Sequence, residues 1–144
     1  MRNTLFALGI GAALVLSACG GGSGPAGGNP PPPPPPPPPP TAPPVGSNVV
    51  FDIVDNAFVD PGGRRNTNAS VTIAAGQTVG WTHNGSATHT VTFTSVPQGS
   101  AGAVDSGNLV RGETHTVTLN TPGTYVFRCD FHPGTMRDVT IVVT

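Results

Sequence analysis

Several side chains with metal-binding chemistry lie close together near the end of the chain. Cys129, His132 and Met136 follow the pattern Cys-x2-His-x3-Met, which brings a thiol, an imidazole and a thioether into one short segment. The dipeptide Pro133-Gly134 is a turn signal that allows this segment to fold back on itself. Upstream, the segment Trp81–Thr90 offers further imidazoles. These donors indicate a metal-binding loop completed by a histidine from another part of the chain.

One thiolate, two imidazoles and a weak thioether form the ligand set of blue-copper electron-transfer sites. Cu(I) favours soft sulfur, whereas Cu(II) favours nitrogen, and a trigonal plane with a weak axial sulfur suits both states. Little then has to move when an electron is transferred, provided that rigid elements hold the ligands.

Other interpretations of the same residues remain. Taken alone, Cys129 could be a buried structural thiol. Zinc also binds Cys and His, although it gains little from a thioether. Cys129 and His132 could act as a nucleophile and its base, but no third orienting residue is visible.

The elements that must position these residues are predicted to be β-strands. Thr and Val are the most frequent residues of the segment 49–144, and both are β-branched strand formers. Apolar residues alternate with polar ones in Val71–Ile73, Val91–Phe93 and Val117–Leu119. Turn signals such as Thr121-Pro122-Gly123 separate the strands. Six to eight short strands at this spacing predict a sandwich or small barrel.

The first 18 residues have the features of a bacterial lipoprotein signal peptide. Arg2 precedes the apolar run Leu5–Leu16, which is too short to span a bilayer. The run ends in Leu16-Ser17-Ala18-Cys19, which resembles a lipobox. We therefore expect Cys19 to carry lipid and to attach the protein to a membrane.

Residues 19–48 are predicted to form a disordered linker rich in Gly, Ser and Pro. Its uninterrupted run Pro30–Pro40 favours a polyproline II rod. A membrane spacer is one interpretation, and a ligand for another domain is the alternative. The segment 49–144 is then a single domain.

Charge excludes one class of partner. The chain has six basic and seven acidic residues, for a formal net charge of −1. The basic stripe expected of a nucleic-acid-binding protein is missing from the sequence.

Residues 49–144 resemble the cupredoxins, particularly the plastocyanin, amicyanin and halocyanin group. The resemblance is carried by six stretches. They are Asp55–Phe58, Gly76–Trp81, His89–Val91, Gly112–Thr114, Pro122–Tyr125 and Cys129–Met136.

The resemblance implies an all-β Greek-key sandwich with one type 1 copper ion at one end, bound by His89, Cys129, His132 and axial Met136. It implies a one-electron carrier rather than an enzyme, with redox partners docking near His132. An apolar collar of Phe131, Pro133 and Ala87 would surround that histidine. With the lipid anchor, we expect a monomeric domain on the periplasmic or extracytoplasmic face of the cell envelope. A copper-delivery protein and a copper enzyme with an open coordination position are the alternatives.

Three positions depart from the family pattern. Thr90 stands where Asn commonly hydrogen-bonds near the thiolate, and its hydroxyl can keep that role outside the ligand set. Asp138 replaces a frequent Gly, and His115 replaces a frequent Phe. We expect His115 and the remaining histidine, His83, to be structural or surface residues rather than ligands.

Overall fold

The computed structural model describes residues 32–36 and 39–144. Residues 32–36 are exposed and have no regular secondary structure. In the described ranges no helix is long and apolar enough to cross a membrane. Residues 1–18 and Cys19 lie outside these ranges, so the signal peptide and the lipid attachment site stay predictions.

Within residues 39–144, eight strands form the sandwich. They are β1 (Val49–Val54), β2 (Ala57–Val59), β3 (Ser70–Ile73), β4 (Gln77–His83), β5 (Thr92–Ser95), β6 (Thr114–Leu119), β7 (Gly123–Arg128) and β8 (Val139–Val143). One sheet has the order β2-β1-β4-β6 and the other β3-β8-β7-β5. Each sheet combines one parallel pair, β1 with β4 and β3 with β8, with antiparallel pairs. The all-β fold expected from the sequence is confirmed.

The core between the sheets is built around aromatic rings. The ring of Phe127 on β7 meets those of Trp81 on β4 and Phe51 on β1 edge-on, each at a centroid distance of 5.3 Å. Because side chains alternate along a strand, the inward face that carries Val79 and Trp81 also carries His83, the last residue of β4. The same alternation continues from Phe127 to Cys129, just beyond β7. Both strands thus deliver a polar or sulfur side chain to one end of the core.

Part of the segment assigned to the linker contacts the outer side of β4. The Thr41 N–H donates to Oδ1 of Asn84 at 2.6 Å, and the Asn48 N–H donates to the Thr78 carbonyl at 2.8 Å. Between these points, a Cβ added to Gly80 would collide with Ser47. The chain just before residue 49 therefore contacts the sandwich, and Gly80 on β4 makes room for Ser47.

Candidate metal centre

Three ligand atoms converge at the end of the core. Sγ of Cys129 lies 3.5 Å from Nδ1 of His89 and 3.6 Å from Nδ1 of His132, and the ligand atoms of these residues lie within 4.8 Å of one another. Bonds of about 2.0 Å to nitrogen and 2.3 Å to sulfur in a trigonal plane would separate sulfur from nitrogen by about 3.7 Å. The spacing therefore fits one metal ion among three ligands.

The site lies beneath the surface, with one ring that reaches it. His89, Cys129 and Met136 are fully buried, whereas His132 is half-buried. The buried thioether of Met136 completes the donor set expected from the sequence.

The loop that carries three of these residues is closed by its own backbone. The Cys129 N–H donates to the Met136 carbonyl at 2.8 Å, and the Met136 N–H donates to the His132 carbonyl at 2.8 Å. Pro133-Gly134 occupies the turn between them, as its sequence predicted. These hydrogen bonds fix the relative positions of the thiol, imidazole and thioether.

His89 is held by a separate pair of hydrogen bonds. Its backbone N–H donates to the Leu109 carbonyl at 3.0 Å, and the Leu109 N–H donates to the His89 carbonyl at 2.8 Å. This isolated bridge lies outside the regular strands. It secures the one ligand that does not belong to the Cys129–Met136 loop.

A carboxylate organises the turn that leads from β4 to His89. Oδ1 of Asp55 accepts hydrogen bonds from the N–H groups of Ala87 at 3.0 Å and Ser86 at 2.6 Å, and Oδ2 accepts one from the Ser86 hydroxyl at 2.8 Å. The bonds from Ala87 and Ser86 lower the pKa of Asp55 to about 2. A Cβ on Gly85 would lie 2.7 Å from Oδ1 of Asp55, so this turn requires glycine.

Thr90 connects the two ligand segments. Its backbone N–H donates to Sγ of Cys129 at 3.4 Å, and its hydroxyl oxygen accepts a hydrogen bond from the Asp130 N–H at 2.9 Å. Hydrogen bonds to a ligand sulfur and to its neighbour orient the ligand and tune the metal. The structure therefore places Thr90 beside the thiol, where the sequence suggested a hydrogen-bonding residue.

The environment of His89 favours its neutral form. Burial, which removes water from the ring, lowers the pKa of His89 to about 4, and the neighbouring His83 and His132 add to this shift. Near neutral pH the ring therefore keeps a lone pair for metal binding.

Exposed apolar residues flank the metal-binding end of the sandwich. Two are the sequence neighbours of the half-buried His132, and others lie close in sequence to the bridged residues His89 and Leu109. Phe131 is 53% exposed, and Pro133 and Ala87 are also exposed. Val110, 50% exposed, follows the bridging Leu109. Sequence reasoning missed Val110, because no local pattern reveals that its loop pairs with His89.

The other two histidines have different surroundings. His83 is fully buried, and its ring centroid lies 5.1 Å from that of His89. In the sequence, His83 occupies every second position together with Val79 and Trp81, and this pattern could have predicted that its side chain faces the core near the site. His115 is half-buried and contacts Trp81 at 5.6 Å, with Nε2 2.8 Å from the Val104 carbonyl oxygen.

A two-sheet sandwich with a His-Cys-His cluster and a buried Met at one end defines a single-copper protein of the cupredoxin class. Residues 59–144 match the family of copper binding proteins described as the plastocyanin/azurin family, and the chain belongs to it. His89, Cys129, His132 and Met136 form its type 1 copper site.

Individual relatives agree with this membership. A plastocyanin from Prochlorothrix hollandica is 42% identical over 77 residues, which are 51% of this chain and 59% of that protein. A plastocyanin from Scenedesmus fuscus is 36% identical over 80 residues, 52% of this chain and 82% of its own length. Among solved structures, a mutant of amicyanin in its reduced Cu(I) form at pH 4 is 26% identical, with a TM-score of 0.54 over 69% of this chain and 83% of that one.

Proposed function

We propose that the protein is a one-electron carrier that uses a single type 1 copper ion. The observation that carries the proposal is the convergence of two imidazole nitrogens on one buried thiol sulfur at 3.5 and 3.6 Å. When bound, the copper ion alternates between Cu(II) and Cu(I). The similarity to plastocyanins and amicyanin supports the same function.

The protein contributes a scaffold that changes little between the two states. Backbone hydrogen bonds close the Cys129–Met136 loop, and the Leu109 bridge fixes His89. Thr90 joins these two parts through Asp130. Because these hydrogen bonds hold the ligand-bearing segments independently of the ion, the ligands need little rearrangement upon electron transfer.

The electron would leave through His132. It is the half-buried member of the cluster, while Cys129 and His89 are fully buried. The residues Phe131, Pro133 and Ala87 supply apolar surface for a redox partner. Partner docking at this end is part of the proposal.

The proposed location is the extracytoplasmic face of a membrane, with lipid on Cys19 as the anchor. Support comes from the sequence alone, through the apolar run Leu5–Leu16 and the lipobox-like residues before Cys19. Globomycin treatment of the producing cells should cause the precursor to accumulate. A precursor processed normally under globomycin would remove the lipoprotein part of the proposal.

Optical and EPR spectra of the copper-loaded protein test the carrier function. Intense thiolate-to-copper absorption in the red and a narrow parallel hyperfine splitting are expected, and both should vanish in Cys129→Ser. Rapid electron self-exchange with slow copper exchange separates a carrier from a copper-delivery protein. A colourless protein, or spectra of ordinary tetragonal copper, would contradict the proposal.

A further inference from the structure

Three imidazole rings lie in a row at the copper end. The centroids of His83 and His89 are 5.1 Å apart, and those of His89 and His132 are 4.8 Å apart. His83 is not among the three residues whose ligand atoms converge, yet it is fully buried against one of them. Burying a polar ring costs free energy unless its nitrogens are hydrogen-bonded, so the position of His83 requires an explanation.

One nitrogen of His83 has a partner and the other has none. Nε2 lies 2.8 Å from the Ala87 carbonyl oxygen. A carbonyl only accepts, so this hydrogen bond assigns the proton to Nε2 and leaves Nδ1 of the neutral ring as an acceptor. That Nδ1 is buried and has no hydrogen-bond partner among the described residues.

His89 also has one unpaired ring nitrogen, but this nitrogen is a donor. Its Nδ1 faces the sulfur of Cys129 as a ligand atom, so Nε2 carries the hydrogen of the neutral ring. This Nε2 is also buried and without a partner in the described part of the chain. A metal-bound histidine almost always donates its second N–H to an acceptor that fixes the ring. An unpaired donor on His89 therefore lies beside an unpaired acceptor on the adjacent ring.

We propose that His83 orients the copper ligand His89, with Nδ1 of His83 accepting a hydrogen bond that reaches it from Nε2–H of His89 through one buried water. His83 is a positioning residue and does not bind copper. Its own orientation is set by Ala87, whose N–H is held by Asp55. The bond prevents rotation of the ligand ring and increases its electron donation to Cu(II).

The test compares two identical substitutions. His83→Phe keeps a ring in the core but removes the acceptor, and His115→Phe is its matched control. His115 also binds a backbone carbonyl at 2.8 Å, but its ring contacts Trp81 rather than a ligand. Affinity for Cu(II) should fall about 10- to 100-fold in His83→Phe. The reduction potential should rise, by about 59 mV for each tenfold loss confined to Cu(II). His115→Phe should leave both unchanged, and His83→Gln, which retains an acceptor, should recover part of the loss.

A direct measurement on the unmodified protein covers the case in which His83→Phe does not fold. In the diamagnetic Cu(I) form, nitrogen-detected NMR should show a slowly exchanging Nε2–H on His89. Exchange as fast as that of a solvent-exposed imidazole would overturn the inference. So would equal affinity and potential in the two Phe variants. The inference rests on the copper site and not on the carrier function. Absence of the red absorption would contradict the carrier function, but the Cu(I) NMR measurement would still test the role of His83.

Discussion

The hydroxyl oxygen of Thr90 accepts a hydrogen bond from the backbone N–H of Asp130 at 2.9 Å. This bond joins the segment that follows one copper ligand, His89, to the residue that follows another, Cys129. Thr90 is only 6% exposed, whereas Asp130 is exposed, so the bond is partly shielded from water. This clamp ties the segment of His89 directly to the loop that carries the other ligands.

Removal of the clamp should destabilise the protein. Thr90→Val preserves shape but removes the acceptor of the Asp130 N–H in a part-buried hydrogen bond, which should cost about 0.5–1.5 kcal/mol of unfolding free energy. Denaturant unfolding of the metal-free protein measures the loss. Thr90→Ser keeps the hydroxyl and should lose less. Equal stability of the Val and Ser variants would show that the hydroxyl does not act as a clamp.

Substitution of Met136 should change the reduction potential more than the fold. Met136→Leu conserves volume at a fully buried position and should cost less than about 1.5 kcal/mol. Loss of the weak sulfur donor disfavours Cu(II), so the potential should rise. Met136→Gln provides an oxygen that favours Cu(II) and should lower it. Voltammetry of the two variants checks the opposite signs, and shifts in the same direction would contradict axial ligation.

Asp55, which holds the turn before His89, should make the unfolding free energy depend on pH in the acidic range. Its folded pKa of about 2 is below its ordinary value of 3.8, so it stabilises the folded state above about pH 3.8. This contribution is lost as the pH falls from 3.8 through 2, because the protonated carboxyl accepts hydrogen bonds poorly. Asp55→Asn should be less stable at about pH 6 and should lack this part of the acid dependence. The slope of unfolding free energy against pH in both proteins measures the effect, and parallel slopes would refute it.

Asp138 adopts a backbone conformation that favours glycine. Its φ is +56°, in the left-handed region where an L-residue is strained by about 1–2 kcal/mol. Asp138→Gly should relieve this strain and raise the melting temperature, whereas the β-branched Asp138→Val should lower it. Thermal unfolding of the copper-loaded variants provides the comparison. A stabilised Val variant would be inconsistent with the left-handed backbone.

The sequence predicted the ligands well because their signal is local. Cys129, His132 and Met136 share one loop, and the turn residues Pro133-Gly134 identify how it folds. The strands were visible from alternating apolar residues, as in Val117–Leu119 within β6. The family resemblance supplied His89.

Other parts of the site depend on tertiary pairing, which no local pattern encodes. The bridge between His89 and Leu109 and the contact of Asp55 with Ser86 join distant segments. His83 and His115 both lie on alternating strands, yet only the ring of His83 touches a ligand ring.

The contact of Thr41 with Asn84 places Thr41 at the copper end of the sandwich, because Asn84 directly follows His83. Thr144 lies at the opposite end of the sandwich, because β8 begins shortly after Met136 and extends about 16 Å away from the copper site. A fluorophore or electrode linker attached at Thr144 would therefore leave the copper end accessible, whereas one attached at Thr41 would crowd it.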